Sequence, residues 1–407
     1  MMEKIKPEIL SPAGDFDKMR FAIAYGADAV YMAGKSFGMR AAAANFEDEA
    51  LRRAIAYAHA RGVKCYITVN IIPSNEDLKQ LPAYLERLQD AGADALIVAD
   101  VGVIALAKQY APRVPLHIST QTSILNHAAA NFWANLGAER IVLARELRLE
   151  EIAEIRAKTP KGLEIEAFVH GAMCISYSGR CLISQYLTGR DANHGACAQP
   201  CRWKYNLVEE KRPGEYFPVV EGEGGTYLYN SKDMCMIDHI PELVDVGITS
   251  FKIEGRNKTA YYAAGITSAY RRAVDAYCAN PEGFVLSSDI HDEIGKVSHR
   301  NYYTGFYFGD PDGQYYQDSQ YIRDWEVTGM PVLVEGCKAT FALKNRFYAG
   351  DELELMQPGK APYRFRANGV VDEEGNMLEV FHHPEMRFTI EFPFEIDSFA
   401  ILRREKT

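Results

Sequence analysis

The sequence lacks long apolar runs, which argues against a membrane protein. No stretch approaches the roughly 20 uninterrupted apolar residues that a transmembrane helix needs. The first residues, MMEKIKPEIL, contain no apolar run of the kind that a signal peptide requires. We therefore expect a cytoplasmic protein whose thiols stay reduced. That setting argues against disulfides among its 8 cysteines.

Excess positive charge is also missing, since the net charge is −10. Binding to nucleic acid would therefore need a local basic region. One candidate lies between residues 170 and 205, where four cations (Arg180, Arg190, Arg202 and Lys204) stand against only Asp191. The alternative is an ordinary solvated loop that happens to contain arginines.

Eight short runs rich in Val, Ile, Tyr and Leu predict buried parallel strands. They span residues 8–14, 27–34, 64–71, 93–100, 116–121, 140–146, 163–171 and 249–255. Helical patterns separate them, and glycines follow several of these patterns where a helix end favours glycine, at Gly26, Gly62, Gly92 and Gly137. Eight such units favour an α/β fold, a (β/α)8 TIM-like barrel, over an open doubly wound sheet. No GxGxxG fingerprint follows the first strand, which also favours the barrel.

We predict that the barrel occupies residues 1–284. From residue 285 to residue 407, short alternating strands with Gly, Asn and Asp turns predict a small C-terminal all-β domain resembling a barrel. A long insertion, about residues 171–248, separates the seventh and eighth strands. It leaves from the C-terminal end of strand seven, which is the catalytic face of such barrels.

The insertion carries five of the cysteines: Cys174, Cys181, Cys197, Cys201 and Cys235. Thiolates of this kind can hold zinc or an iron–sulfur cluster, and the spacing alone does not decide between them. A catalytic thiol with His170 or His194 as base is a third reading. Cys65 and Cys278 are expected to be small buried apolar side chains outside this cluster.

Polar residues recur within or near the predicted strand ends, and we expect them to form a ring at one mouth of the barrel. They are Glu8, Asn70, Gln121, Glu146, Glu166, Lys252, Glu254 and Arg256. His170 ends the seventh strand, and its side chain is expected to point into the same mouth. Some members of the ring must be structural ion pairs, yet a ring of this size exceeds what packing requires.

Five phrases together are distinctive: ILSPAGDFDKMRFAIAYGADAVYMAG, FGMRAAAANF, EAFVHGAMCISYSGRC, RDANHGACAQPCRW and KVSHRNYYTGF. In these phrases the chain resembles peptidase family U32, whose older label is collagenase-like protease. It is most similar to the branch that hydroxylates tRNA. The resemblance implies oxygen-independent hydroxylation of uridine 34 to 5-hydroxyuridine, with prephenate as the hydroxyl source. It also implies a [4Fe–4S] cluster held by Cys174, Cys181, Cys197 and Cys235, with Cys201 as the rival of Cys197.

The predicted position, charge and aromatic character of residues outside the cysteines suggest further roles. We expect catalytic roles for His170, Glu166, Lys252 and Glu254. Contacts to tRNA or to a small anionic co-substrate such as prephenate are expected from Arg145, Arg190, Arg202, Trp203, Arg256, His299 and Arg300. Two other functions stay open: a peptidase of the U32 type, and a binding module in which zinc stabilises the insertion.

Overall fold

The computed structural model describes residues 5–38, 45–174, 176–203, 207–208, 216–217, 232–309 and 321–406. All 8 cysteines lie within these ranges, and none of them forms a disulfide. Among the helices of the described ranges, none combines the length and the apolar character needed to cross a membrane.

The first domain is a closed barrel of eight parallel strands, which confirms the predicted fold class. Numbered in chain order, the barrel strands are β1 (Glu8–Pro12), β2 (Ala29–Met32), β3 (Lys64–Val69), β4 (Ala95–Val98), β5 (Leu116–Ile118), β6 (Arg140–Val142), β7 (Glu164–Ala172) and β11 (Ser250–Ile253). Neighbours along the chain pair in parallel from β1 to β7. Strand β11 closes the barrel because it pairs with both β7 and β1.

Helices surround these strands. They are α1 (Phe16–Ala24), α2 (Asp48–His59), α3 (Asn75–Leu78), α4 (Leu81–Asp90), α5 (Val101–Tyr110), α6 (His127–Asn135), α7 (Leu149–Ala157), α9 (Ile240–Asp245) and α10 (Ala260–Ala279). Asp15 caps α1 by accepting a 2.9 Å hydrogen bond from the amide of Lys18. Gly26 has φ +101°, a conformation that glycine adopts without steric cost, so the chain can turn from α1 towards β2.

The insertion leaves and re-enters the barrel at one edge. It contains α8 (Ile183–Thr188), the short strands β8 (Leu207–Val208) and β9 (Tyr216–Phe217), and β10 (Asp233–Cys235). Strand β10 runs antiparallel to the end of β7, where Asp233 pairs with Ala172 and Cys235 pairs with His170. The two ends of the insertion are therefore fixed side by side.

The segment after α10 packs on the barrel. Helix α11 (Ser288–Gly295) contributes Ile290 and Ile294 to the barrel core, and β12 (Tyr302–Tyr303) pairs with β10. The structure thus places residues 288–309 with the barrel, although the predicted boundary lay at 284/285. The second domain starts at β13.

The second domain is an antiparallel sheet of seven strands, in agreement with the predicted all-β class. Its strands are β13 (Trp325–Glu335), β14 (Lys338–Leu343), β16 (Glu352–Met356), β17 (Tyr363–Arg366), β18 (Val371–Asp372), β20 (Arg387–Glu391) and β21 (Ile401–Glu405). Two further strands, β15 (Phe347–Tyr348) and β19 (Val380–Phe381), pair with each other. A separate cluster of phenylalanines and aliphatic residues fills this domain.

A buried charge network joins the two domains. Arg403 of β21 has no exposed side-chain surface. Its guanidinium donates to Glu293 of α11 at 2.7 Å and to Glu354 of β16 at 2.8 Å. Lys296 also contacts Glu354, at 2.8 Å. Because breaking a buried pair leaves an uncompensated charge, this network fixes how the domains sit together.

Candidate functional site: a cationic pocket at the barrel mouth

A pocket of about 100 Å³ lies at the C-terminal ends of the barrel strands. Its lining includes Tyr31, Thr68, Asn70, Ser119, Gln121, Arg145, Phe168, Lys252, Glu254 and Arg256, together with Cys174, Ser178 and Gly179 of the insertion. Five of the eight residues of the predicted polar ring therefore line the pocket, and a sixth, Glu166, is bonded directly to one of them, Lys252. Glu8, in contrast, begins β1 and lies at the opposite, N-terminal end of the strands.

Three cations dominate the pocket: Arg145, Lys252 and Arg256. Arg145 donates to the carbonyl of Ala172 at 3.1 Å and to the hydroxyl of Ser178 at 2.9 Å. Its Nε is buried and has no hydrogen-bond partner within the described residues. A buried donor without a partner carries a free-energy cost, which a bound anion would remove. Two carboxylates, Glu166 and Glu254, stand near the three cations, so the pocket keeps a positive surplus.

The Lys252 ammonium is held from below by a buried carboxylate. Lys252 Nζ donates to Glu166 at 2.6 Å, and Glu166 also accepts from Arg140 at 3.1 Å. Arg140 extends this network to Glu8 at 2.7 Å. Burial alone would raise the pKa of Glu8, but Arg140 and hydrogen bonds from Tyr66 and Ser250 hold it below its ordinary value. Arg140 was not anticipated, because a cation at the start of a strand resembles an exposed residue in the sequence.

His117 lies in the same barrel interior and was also missed. Its ring meets the ring of Tyr66 at a centroid distance of 4.6 Å. Burial, helped by the positive charges of Arg140 and Lys252, lowers the pKa of His117 well below its usual range. The ring is therefore neutral at physiological pH and adds no charge beneath the pocket.

Two amides form another wall of the pocket. The Asn70 side chain donates to the Gln121 carbonyl oxygen at 2.6 Å, and the Gln121 amide donates back to the Asn70 main chain at 2.8 Å. Gly179 of the insertion lies directly against Gln121, since a Cβ at this position would come within 2.9 Å of the Gln121 Cγ. At Gly179 the insertion therefore packs so closely on the mouth that a larger side chain would clash with Gln121.

The side chain of His170 does not point into the mouth as expected. A bulge at Val169 places Phe168 opposite Lys252 and His170 opposite Ile253, which reverses the inward and outward alternation of β7. His170 instead packs against the rings of Tyr262, Tyr270 and Tyr302. Burial lowers the pKa of His170 to about 3, so the ring is neutral. Its position supports the junction between β7, β10 and α10.

The pair His299 and Arg300 also lies away from the mouth. Both side chains are buried. His299 stacks on Tyr302 with centroids 4.3 Å apart, and the amide of Arg300 donates to Asp233 at 3.1 Å. His299 lines a second cavity, of about 700 Å³, that also contains Cys235 and lies between the barrel and the β-domain. The structure therefore offers no exposed surface at His299 and Arg300 for an RNA base.

The cysteines of the insertion differ in environment. Cys174 is exposed and lines the mouth pocket, whereas Cys235 is buried and lines the second cavity. Cys197 is exposed, and its sulfur accepts from the amide of Gln199 at 3.4 Å. The sulfur of Cys235 likewise accepts a hydrogen bond from an amide two residues later in the chain, that of Ile237. Burial nevertheless raises the pKa of Cys235 to about 12.

Amides directed at sulfur stabilise thiolates, so the donor chemistry of this set fits a thiophilic metal or an iron–sulfur cluster. Within the described ranges, however, no group of three or more His, Cys, Asp or Glu side chains is arranged around one point as a metal site. The two solitary cysteines also differ from each other. Cys65 is buried as expected, but Cys278 is exposed because it lies on the outer face of α10.

The predicted RNA-contacting residues of the insertion are only partly described. Arg190 and Trp203 are exposed, with Trp203 44% accessible. The side chain of Arg202 and all of Lys204 and Tyr205 lie outside the described residues.

Comparisons with known proteins cover nearly the whole chain. The profile of peptidase family U32 matches residues 14–317, and that of the peptidase family U32 C-terminal domain matches residues 326–403. The chain is 38% identical to tRNA hydroxylation protein P1 of Bacillus subtilis, over 93% of this chain and 90% of that protein. It is 37% identical to tRNA hydroxylation protein P of Escherichia coli, over 98% and 97% of the two chains. It is 40% identical to the 23S rRNA 5-hydroxycytidine C2501 synthase of Escherichia coli, over 66% of this chain and 39% of that protein.

Proposed function

This chain belongs to peptidase family U32, and from that premise we propose that it is an RNA-modifying enzyme that hydroxylates tRNA. The observation that carries the proposal is the end-to-end similarity to two tRNA hydroxylation proteins, which includes both domains. The cationic pocket at the catalytic face of the barrel gives that chemistry a location. A tRNA substrate implies that the enzyme works in the cytoplasm.

The target is a pyrimidine, and we propose uridine 34, which becomes 5-hydroxyuridine. A relative named for making 5-hydroxycytidine in 23S rRNA supports hydroxylation at position 5 of a pyrimidine ring. The anticodon loop is single-stranded, so its bases can turn outwards and enter a pocket. Exposed Trp203 and Arg190 of the insertion, with Arg202 of the same segment, are the proposed first contacts with the RNA.

The hydroxyl group comes from a small anionic co-substrate, for which prephenate is the proposed identity. Arg145, Lys252 and Arg256 would bind its carboxylates, and the free Nε of Arg145 supports this role. Glu254 accepts from the Tyr31 hydroxyl at 3.3 Å and stands beside these cations, where it can hold a proton or a hydroxyl group of a ligand. Because these groups are held in place by buried partners, little reorganisation is needed when charge develops.

We propose that Cys174, Cys181, Cys197 and Cys235 hold a [4Fe–4S] cluster. The amide of Gln199, which donates to the sulfur of Cys197, supports Cys197 as a ligand, and Cys201 remains its rival for the third position. When bound, such a cluster would relay the electrons of the oxidation or provide a Lewis-acidic iron. The protein residues of the mouth bind, orient and shield the substrates.

A peptidase activity is the second candidate, because the family carries that name. The pair Cys235 and His170 has the residue types of a cysteine peptidase, but both are buried, and burial keeps the thiol protonated and the ring neutral. The pattern GKSFG at residues 34–38 matches the GxSxG motif of serine hydrolases. Its described residues lie in bends after β2, whereas the motif requires a strand that turns straight into a helix.

Analysis of tRNA nucleosides tests the proposed function. Deletion of the gene should remove 5-hydroxyuridine and its derivatives from position 34, and the wild-type gene should restore them. Complementation with Lys252→Met should fail, whereas Lys35→Met, at an exposed ion pair, should succeed. Unchanged 5-hydroxyuridine in the deletion strain, with no second enzyme present, would contradict the proposal.

Iron, sulfide and zinc content of anaerobically purified protein tests the cluster. We expect iron and sulfide near four per chain, and loss of both in Cys174→Ser, Cys181→Ser, Cys197→Ser and Cys235→Ser. Cys65→Ser and Cys278→Ser are matched controls that should keep the iron. Zinc at one equivalent without sulfide would instead support the zinc-stabilised binding module.

A further inference from the structure

The insertion exposes an unusual group of large apolar side chains. Leu182, Tyr186, Leu187 and Trp203, here called the insertion platform, are 74%, 87%, 47% and 44% accessible. Leu182 and Tyr186 are four residues apart at α8, so they share one face of that helix. Single exposed apolar residues are common on proteins, but four large ones within 22 residues of one insertion indicate a candidate binding surface.

Partly buried hydrogen bonds order the backbone around α8. Ser184, in the middle of α8, is buried. Its hydroxyl donates to the carbonyl of Arg190 at 2.9 Å and accepts from the amide of Ala198 at 3.0 Å. Helix α8 packs against the 3₁₀ turn Pro200–Arg202, and Trp203 follows that turn directly. The exposed rings are therefore presented by an ordered framework, which lowers the entropy cost of binding.

The same framework is tied to the barrel mouth. Ser178 accepts from Arg145 of the pocket at 2.9 Å. Asn193 exchanges two hydrogen bonds, both of 3.1 Å, with the main chain of Ile72 in the loop that follows β3. The segment that carries the platform is therefore anchored beside the mouth pocket.

The charge around the platform identifies the class of partner. Arg180 and Arg190 are exposed, and neither guanidinium makes an ion pair with the described residues. The single acid of this stretch, Asp191, is already engaged by His194 at 2.6 Å. The local charge is positive although the chain carries −10 overall. Aromatic faces interleaved with unpaired arginines are the combination that single-stranded nucleic acid recognises.

We propose that the insertion platform stacks unpaired RNA bases that flank the target nucleotide, with Tyr186 as the principal stacking face. Arg180 and Arg190 contact the neighbouring phosphates. This inference rests on the proposed function and adds the element that binds the loop. It makes α8 a specificity element for looped RNA over duplex RNA, since paired bases offer no free face for Tyr186.

Fluorescence anisotropy with a labelled hairpin RNA tests the proposal, using full-length, anaerobically purified protein. Tyr186→Ala should weaken binding to the hairpin about fivefold to a hundredfold, and Tyr186→Phe should retain it, because the ring face remains. Arg180→Ala should reduce the slope of log affinity against log salt by about 0.7, whereas Tyr186→Ala should leave the slope unchanged. Phe132→Ala, an exposed aromatic on α6, and Arg52→Ala, an exposed cation on α2, are the matched controls.

Each alternative gives its own result. Wild-type protein that binds the hairpin no better than a duplex of the same length overturns the inference. So does Tyr186→Ala binding equal to that of the wild type. A wild-type dimer that Tyr186→Ala dissociates would assign the platform to a second copy of the chain instead. Failure of the proposed function would appear separately, as unchanged tRNA nucleosides in the deletion strain.

Discussion

Removal of the Lys252 ammonium should destabilise the barrel by an amount that the structure sets. Lys252 and Glu166 are 6% and 0% exposed, and the 2.6 Å contact joins them inside the strands. Loss of one member of a buried pair costs about 3–5 kcal/mol. Since Glu166 keeps Arg140 at 3.1 Å, we expect the lower end, about 3 kcal/mol, for Lys252→Met. In a domain of this size that corresponds to a fall in Tm of roughly 6–12 °C.

Calorimetry of a double-mutant cycle measures this value. The double variant Lys252→Met/Glu166→Leu should recover at least about 2 kcal/mol relative to the sum of the two single variants, because it leaves no unpaired lysine or glutamate. Lys35→Met removes a pair whose members are 61% and 72% exposed, and it should cost under about 1 kcal/mol. A fall in Tm below about 2 °C for Lys252→Met, or strictly additive single effects, would refute the reasoning.

Three further predictions concern pH, the domain junction and the mouth. The folded barrel keeps His117 neutral, so below about pH 6.5 only the unfolded chain binds a proton at this residue. The free energy of unfolding should therefore fall by about 2 kcal/mol between pH 8 and pH 5 because of His117. Urea unfolding of His117→Phe should lack that loss; an identical pH dependence would contradict it. Arg403→Met should lower the free energy of unfolding by about 3–5 kcal/mol and split one calorimetric transition into two, because it removes the buried contacts to Glu354 and Glu293. A single transition at an unchanged temperature would contradict the role of this network in joining the domains. Gly179→Ala should reduce hydroxylation at least about tenfold, because the added methyl group would clash with Gln121. Gly189→Ala is the control: Gly189 has a similar positive φ, but no atom of the described residues lies where its Cβ would be, so this variant should keep most of its activity. Equal effects of the two substitutions would exclude a clash with Gln121 as the cause.

Much of the barrel was predictable because buried parallel strands leave a local signal. Each of the eight apolar runs became a strand, and Gly26 and its counterparts mark the helix ends with positive φ. The boundary of the second domain was not predictable in the same way. Tyr302 and Tyr303 look like the first strand of a β-domain, but they pair with β10 of the barrel sheet, and no local pattern encodes that partner.

The residue types of the site could be predicted from the sequence, but the directions in which their side chains point could be predicted less well. Lys252 lies near the end of a strand that could be located from the sequence, and Glu254 and Arg256 follow it, so their place at the mouth could be inferred. The direction of His170 depends on the bulge at Val169, which arises from the register between β7 and β11. Arg140 was hidden for a related reason, since its burial depends on carboxylates from three other points in the chain.

The pairing of Ala172 with Asp233 turns the insertion into a module with a fixed stem. Its two ends leave the sheet at one pair of hydrogen-bonded residues, so the length of the chain between them does not affect the barrel. Related enzymes could therefore exchange this segment as a unit, together with the Cys174, Ser178 and Gly179 that it contributes to the mouth, and acquire a new RNA target without rebuilding the barrel strands. A chimera that carries the corresponding segment of an rRNA-directed relative would be a direct way to reprogram the enzyme.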